Sequence, residues 1–134
     1  MINAKIVFIV FFAVNILFAC KTKDKTPAPT IVGFWKGLYG YGTATPDIPY
    51  AFLFRQNGTV RTFARNTDTA LAQKAEGTYS VTGTSVQTTY MYLPALDDQS
   101  STTGTATENF SSMTGTWGYG TSRTDGGTFN LTKW

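Results

Sequence analysis

From Ile31 onward apolar and polar side chains alternate over short runs, and no long stretch repeats with the 3.6-residue period of a helix. Tyr50, Phe52 and Phe54 fall on one side of such a run. Met113, Gly115, Trp117 and Tyr119 alternate with threonine and glycine, and Phe129 and Leu131 alternate with Thr128, Asn130 and Thr132. A period of two puts each apolar set on one face of a strand. Turn residues recur at intervals of about a dozen, the spacing of an all-β sandwich or barrel. The pattern predicts eight strands, over 32–41, 49–55, 59–65, 75–82, 85–93, 104–110, 112–120 and 126–133. Short sequential strands with one apolar face close most economically into an antiparallel up-and-down barrel, which leaves no sheet edge unpaired. A two-sheet sandwich is the alternative.

Two turns set the register of their hairpins. In Phe54-Arg55-Gln56-Asn57-Gly58-Thr59-Val60, a two-residue Asn57-Gly58 turn would put Phe54 opposite Arg61. A three-residue loop with Gly58 in the left-handed conformation pairs Phe54 with Val60 and Phe52 with Thr62 instead. A slip of one residue exchanges the two faces. The second register is therefore expected, because it gathers Tyr50, Phe52, Phe54 and Val60 and turns Arg61 and Arg65 outward. In Val81-Thr82-Gly83-Thr84-Ser85-Val86, Gly83 suits the first central position of a type II′ turn. That pairs Val81 with Val86, Tyr79 with Thr88 and Gly77 with Tyr90. Between these hairpins, Ala70-Leu71-Ala72-Gln73-Lys74 has the composition of a single helical turn. Residues 94–101 (Pro94 to Ser101) form the most loop-like stretch of the domain.

The chain before Ile31 has a different character. Lys5 and the apolar run Ile6–Val14, broken at Asn15, form a stretch too short for a membrane span of ~20 residues. It has the make-up of a leader ending before the single cysteine, Cys20. Leu17-Phe18-Ala19-Cys20 resembles the lipobox of bacterial lipoproteins, in which the cysteine after the cleavage point is acylated. The alternative is an ordinary secretory leader with a chance cysteine. The expected organisation is a signal peptide over 1–19, a lipidated Cys20 and polar tether over 20–30, and a barrel over 31–134. The acyl group would hold the chain on a lipid bilayer. Lys21 follows the cysteine where some bacteria place an inner-membrane retention aspartate, so an outer-membrane anchor is favoured.

Charge changes meaning under this division. The chain carries 11 Lys and Arg against 8 Asp and Glu. Lys5, Lys21, Lys23, Lys25 and Asp24 all precede the domain, which is formally neutral, and no nucleic-acid partner is indicated. The tether lysines suit anionic lipid head groups.

Chemistry is sparse. The chain has no histidine, and an acylated Cys20 leaves no thiol, so His- or Cys-based nucleophiles and metal sites are excluded. Asp97-Asp98 is one adjacent carboxylate pair, read as a solvated loop rather than a calcium site. Glu76 and Glu108 are the only glutamates, with no sign of facing each other across a cleft as glycosidase chemistry requires. Gly40-Tyr41-Gly42 and Gly118-Tyr119-Gly120 lack the following helix of a phosphate loop. No enzyme activity, metal or cofactor is expected.

The aromatic residues are the candidate site. Tyr39, Tyr50, Phe52, Tyr79, Tyr90, Tyr92, Trp117 and Tyr119 either form plain core or line an open mouth, and seven tyrosines are many for a dry core because each buried hydroxyl needs a partner. Two functions follow. In one, the barrel binds a small, partly apolar molecule. In the other, a filled barrel docks an envelope protein, as an inhibitor or assembly partner, through the loops around 94–103 and 120–126.

Together the lipobox, the tether, Val32-Gly33-Phe34-Trp35-Lys36-Gly37, Phe52-Leu53-Phe54-Arg55-Gln56-Asn57-Gly58-Thr59-Val60, Gly77-Thr78-Tyr79-Ser80-Val81 and the ending Gly127–Lys133 resemble the small lipocalin-like lipoproteins common in Bacteroidota. The resemblance implies an eight-stranded barrel. It also implies that Gly33 and Trp35 form the lipocalin Gly-x-Trp, whose tryptophan closes one end of the barrel beneath a basic residue from a late strand. Lys133 is the candidate for that residue.

Overall fold

The computed structural model of the chain describes residues 27–134. The leader, Cys20 and the tether as far as Thr26 lie outside the described residues. Eight strands follow one another: β1 (Gly33–Tyr39), β2 (Ile48–Phe54), β3 (Thr59–Ala64), β4 (Gln73–Thr82), β5 (Ser85–Tyr92), β6 (Gln99–Ala106), β7 (Ser112–Tyr119) and β8 (Gly127–Lys133). Each pairs antiparallel with the next, and β8 returns to β1, so the sheet closes into a barrel of lipocalin-like form. The sandwich does not occur.

Both hairpin registers follow their turns. Phe54 faces Val60 and Phe52 faces Thr62 across β2–β3. Val81 faces Val86, Tyr79 faces Thr88 and Gly77 faces Tyr90 across β4–β5. The positive φ of Gly58 (82°) and Gly83 (61°) supplies the left-handed step each turn needs. Inside the barrel, Trp35, Phe52, Phe54, Val60, Val86, Tyr90 and Leu131 are fully buried. Each such side chain contributes ~1.5–3 kcal/mol of burial. A smaller cluster of Ala51, Phe63 and Ala72 sits on the outside of the wall with Phe34 and Leu53 against it, because the β3–β4 connection folds back over the β2–β3 face.

Two expectations are corrected. The sixth strand was expected over 104–110 but runs from Gln99 to Ala106, and residues 107–111 make the turn into β7. Gln99-Ser100-Ser101-Thr102-Thr103-Gly104 has no apolar residue to show a period. Its pairing with both neighbours, not its own pattern, makes it a strand. The small hydroxyl residues suit the place. Ser100 and Thr102 point inward beside the large Tyr90 and Trp117, and the Thr88 and Thr102 hydroxyls bond at 2.6 Å. The second correction concerns 70–74. A single turn does form, closed by Ala72 N–H donating to Asp68 C=O at 2.9 Å, but it spans 68–72. Gln73 and Lys74 already belong to β4, where Lys74 pairs with Phe63.

Candidate functional site

Alternation sends Trp35 inward from β1 at the end where the tether enters, here the base. Its indole N–H donates to Ile31 C=O at 2.8 Å, and its ring meets Phe54 edge-on at 6.2 Å. Lys133 Nζ stands 5.9 Å from the ring centroid and donates to Thr30 C=O at 2.6 Å. Tyr79 closes the same end from the side, its hydroxyl donating to Arg55 C=O at 2.7 Å.

The opposite end, the rim, is closed by the second Gly-x-Trp. Trp117 comes inward from β7, and its indole N–H donates to Gly40 C=O at 3.0 Å. Gly126 lies flat against the indole, and a Cβ there would come within 2.5 Å of Trp117 Cε3. Tyr39 and Tyr41 meet the same ring edge-on at 5.7 and 5.3 Å. Both mouths of the barrel are therefore filled by tryptophans tied to loop carbonyls.

Between the plugs the tyrosines satisfy one another. The Tyr50 and Tyr90 hydroxyls share a hydrogen bond across the interior. Tyr50 packs on Phe52 at 4.6 Å, Phe52 stacks on Phe54 at 5.5 Å, and Tyr90 meets Phe52 and Tyr92 at 6.2 and 5.8 Å. Burial pushes both the Tyr50 and Tyr90 hydroxyls well above the ordinary tyrosine range, reinforced by the repulsion each would feel from neighbouring tyrosinates. Burial also raises Tyr39, to about 12. Tyr39, Tyr50, Phe52, Tyr90 and Trp117 are thus core, and Tyr79 and Tyr92 are half-buried packing partners of that core. Only Tyr119 among the eight candidates is exposed. Two hollows of about 150 Å³ each lie on the outer wall.

What the rim gathers is a different set. Three of the connections at that end present one large apolar side chain each, Tyr41 (43% exposed), Leu71 (73%) and Leu96 (49%), and Tyr119 (53%) does so from the end of β7. Tyr119 meets the Trp117 ring at 5.2 Å, so Tyr41, Trp117 and Tyr119 form a continuous aromatic strip. Arg65, held at φ +69° at the end of β3, donates from Nη2 to the Tyr41 hydroxyl at 3.3 Å and places a cation beside the strip. Tyr41, Leu71 and Arg65 were not among the expected site residues, whereas Leu96 lies in the loop around 94–103 that was expected to dock a partner. One signal for Tyr41 was present, the repeated Gly-Tyr-Gly, whose copies end β1 and β7 and therefore meet at one end of an up-and-down barrel. Asp97 and Asp98 stand exposed in the β5–β6 connection beside Leu96.

Comparison with protein-family models, with curated proteins and with solved structures returns no match. The barrel's own geometry carries the functional reading.

Proposed function

We propose that this chain is a lipid-anchored lipoprotein of a bacterial cell envelope whose filled barrel serves as a rigid stand, and whose rim docks an envelope protein. The observation that carries this is the rim itself: at the end away from the tether, three connections and the end of β7 each expose a large apolar side chain, around an aromatic strip with Arg65 at its edge. Exposed tyrosine, tryptophan edge and arginine are the residue types that dominate protein–protein contacts. The packed interior leaves the rim, not the cavity, as the surface with something to offer. Acylation of Cys20 would leave the base facing the bilayer and the rim facing outward. With no histidine in the chain and the adjacent pair Asp97-Asp98 read as a solvated loop, the reading is a binding protein rather than an enzyme.

The test is site-specific photo-crosslinking in cells, with a photoreactive side chain in place of Tyr119 and, as the control at the base, in place of Val81. Protein adducts formed at position 119 and absent at 81 are expected. Equal yields at the two positions would remove the reading.

A second reading, binding of a small, partly apolar molecule, is favoured by one feature outside the barrel. The groove between the β1–β2 outer face and the β3–β4 connection has Phe34, Pro49 and Ala51 in its wall and a volume of about 150 Å³. That is the size of a cavity that takes a benzene-sized body. Ala51→Leu would fill it, and a hydrophobic dye that binds there would be displaced.

A further inference from the structure

The β7–β8 connection does not project from the rim. It folds back over the outer wall, along a row of small residues that runs across four strands. Gly118, Ser101, Thr89 and Thr78 are consecutive partners in the β7, β6, β5 and β4 registers. Gly118 leaves room for the loop, and a Cβ there would strike Asp125 Oδ1 and Ser122 C=O. Ser101 Oγ donates to Gly120 C=O at 2.7 Å, and Thr89 Oγ1 lies 3.2 Å from Ser101 Oγ. With the Ser101 proton on Gly120, the Thr89 proton goes to Ser101, so the loop is stitched to the wall.

Arg123 extends from this loop into the second outer hollow, of about 150 Å³, whose wall includes Thr78, Ser80, Gln87 and Thr89. Its Nε is buried and has no hydrogen-bond partner among the described residues. A buried, unpartnered N–H costs ~1–3 kcal/mol and calls for an acceptor. The wall supplies none that is charged. Glu76, two residues before Thr78 on the same strand, is engaged by Arg55 and Arg61, and Asp125 accepts from Tyr119 N–H at 2.9 Å. Thr78 and Ser80 have hydroxyl protons to give, and Gln87 has amide protons. Thr78 faces Thr89 and Ser80 faces Gln87, so these side chains mark the corners of a patch about 5 by 7 Å on the pleated surface. A guanidinium at the edge of such a patch, with hydroxyl and amide donors beside it and no carboxylate in the wall, matches a tetrahedral oxyanion.

We propose that the trough of Arg123, Thr78, Ser80 and Gln87 on the outer wall of β4–β5 is a binding site for a phosphoryl group. The group is carried either by a soluble phosphate or by a phospholipid head group. The site is separate from the rim and stands or falls independently of it.

The experiment is an amide-resolved NMR titration of the full chain in detergent, with sodium phosphate in one arm, glycerophosphoglycerol (the soluble head group of phosphatidylglycerol) in another, and sodium chloride at matched ionic strength as control. Saturable shifts at Thr78, Ser80, Gln87 and Arg123 are expected with a phosphoryl compound and not with chloride. The tighter arm tells which source the site takes. Arg123→Ala should weaken binding about ten- to a hundredfold, the loss of one charge-assisted contact. Arg123→Lys should recover part of it. Thr78→Val, which leaves the loop untouched, should weaken binding by a smaller factor. Identical responses to chloride and both phosphates, or an affinity unchanged by Arg123→Ala in a protein whose other amides have not moved, would overturn the proposal.

Discussion

The Tyr50–Tyr90 hydrogen bond shows why buried hydroxyls in this barrel come in pairs. Each ring fills volume that phenylalanine could fill equally well, but each hydroxyl is tolerable only because the other is there. Tyr50→Phe and Tyr90→Phe should therefore each destabilise by ~1–3 kcal/mol, by leaving one buried hydroxyl unpaired. The double variant should cost much less than the sum, because both groups leave together. Denaturant unfolding of the four proteins checks this, and simple additivity would show that the pair is not coupled. The same burial makes stability sensitive to alkali. Tyrosine in an unfolded chain ionises near pH ~10, whereas burial holds Tyr50 and Tyr90 well above that in the barrel. Their contribution is complete below the unfolded value. It is lost as pH rises beyond it, where the unfolded chain releases protons that the folded one keeps. The tyrosinate absorbance of the buried pair should accordingly appear only together with unfolding.

At the scale of strands, the two tryptophan plugs make the clearest comparison. Trp35 and Trp117 each follow a glycine by two, come from strands β1 and β7, and tie an indole N–H to a loop carbonyl at opposite ends. Trp35→Ala should cost ~3–5 kcal/mol as a large fully buried side chain is removed, a major share of a domain's usual margin. A melting temperature left near the wild-type value would show that the base is closed by something else. Glu76 on β4 offers a gentler test. The Arg55 guanidinium first, and then Arg61, hold its carboxyl below the ordinary glutamate range. This contribution is complete above ~4.3, the unfolded value, and disappears as pH falls through the lowered folded value. Partial exposure limits it to ~1 kcal/mol or less, so Glu76→Gln should lower stability slightly at neutral pH and not at all in strong acid. These elements also show which parts of the fold were legible in the amino-acid order. Where a turn residue fixed the register beside alternating aromatics, as at Gly58 and Gly83, every cross-strand pair could be read. At β6 no apolar residue marks a face, and only the neighbours' open edges define the strand. The pairing of the tyrosines was not legible for a related reason. Composition tells how many tyrosines must find partners, but not that they find each other across a closed barrel. Of the rim, Tyr119 and the loop around Leu96 were legible, whereas Tyr41 and Leu71 escaped notice because they lie on separate connections and come to the same end only after closure.

At the scale of the molecule, function depends on which end faces what. Thr30 is held against Lys133 at the base, and the C-terminal Trp134 lies there too, its ring 3.5 Å beneath Lys36 Nζ. The Tyr41–Trp117–Tyr119 strip is at the other end. The ten tether residues from Lys21 to Thr30 reach at most ~33–36 Å when extended. A barrel anchored through Cys20 would thus stay close to its bilayer with the base toward it and the rim beyond. Trp134 is the most exposed large hydrophobic of the described residues, at 80%, so exposure alone would nominate the base as the working surface. Position argues otherwise, because a base turned to the bilayer has lipid, not protein, opposite it. Tyr41→Ala with Tyr119→Ala should abolish capture of the protein crosslinked from position 119 while leaving the membrane fraction and the melting temperature nearly unchanged, since surface substitutions usually stay within ~0.5 kcal/mol. Trp134→Ala should leave capture intact. Cys20→Ser should move the chain out of the membrane fraction without altering the fold. If Trp134→Ala were the variant that lost the partner while the rim variant kept it, the barrel would stand the other way up. The rim would then be an incidental cluster of loop residues.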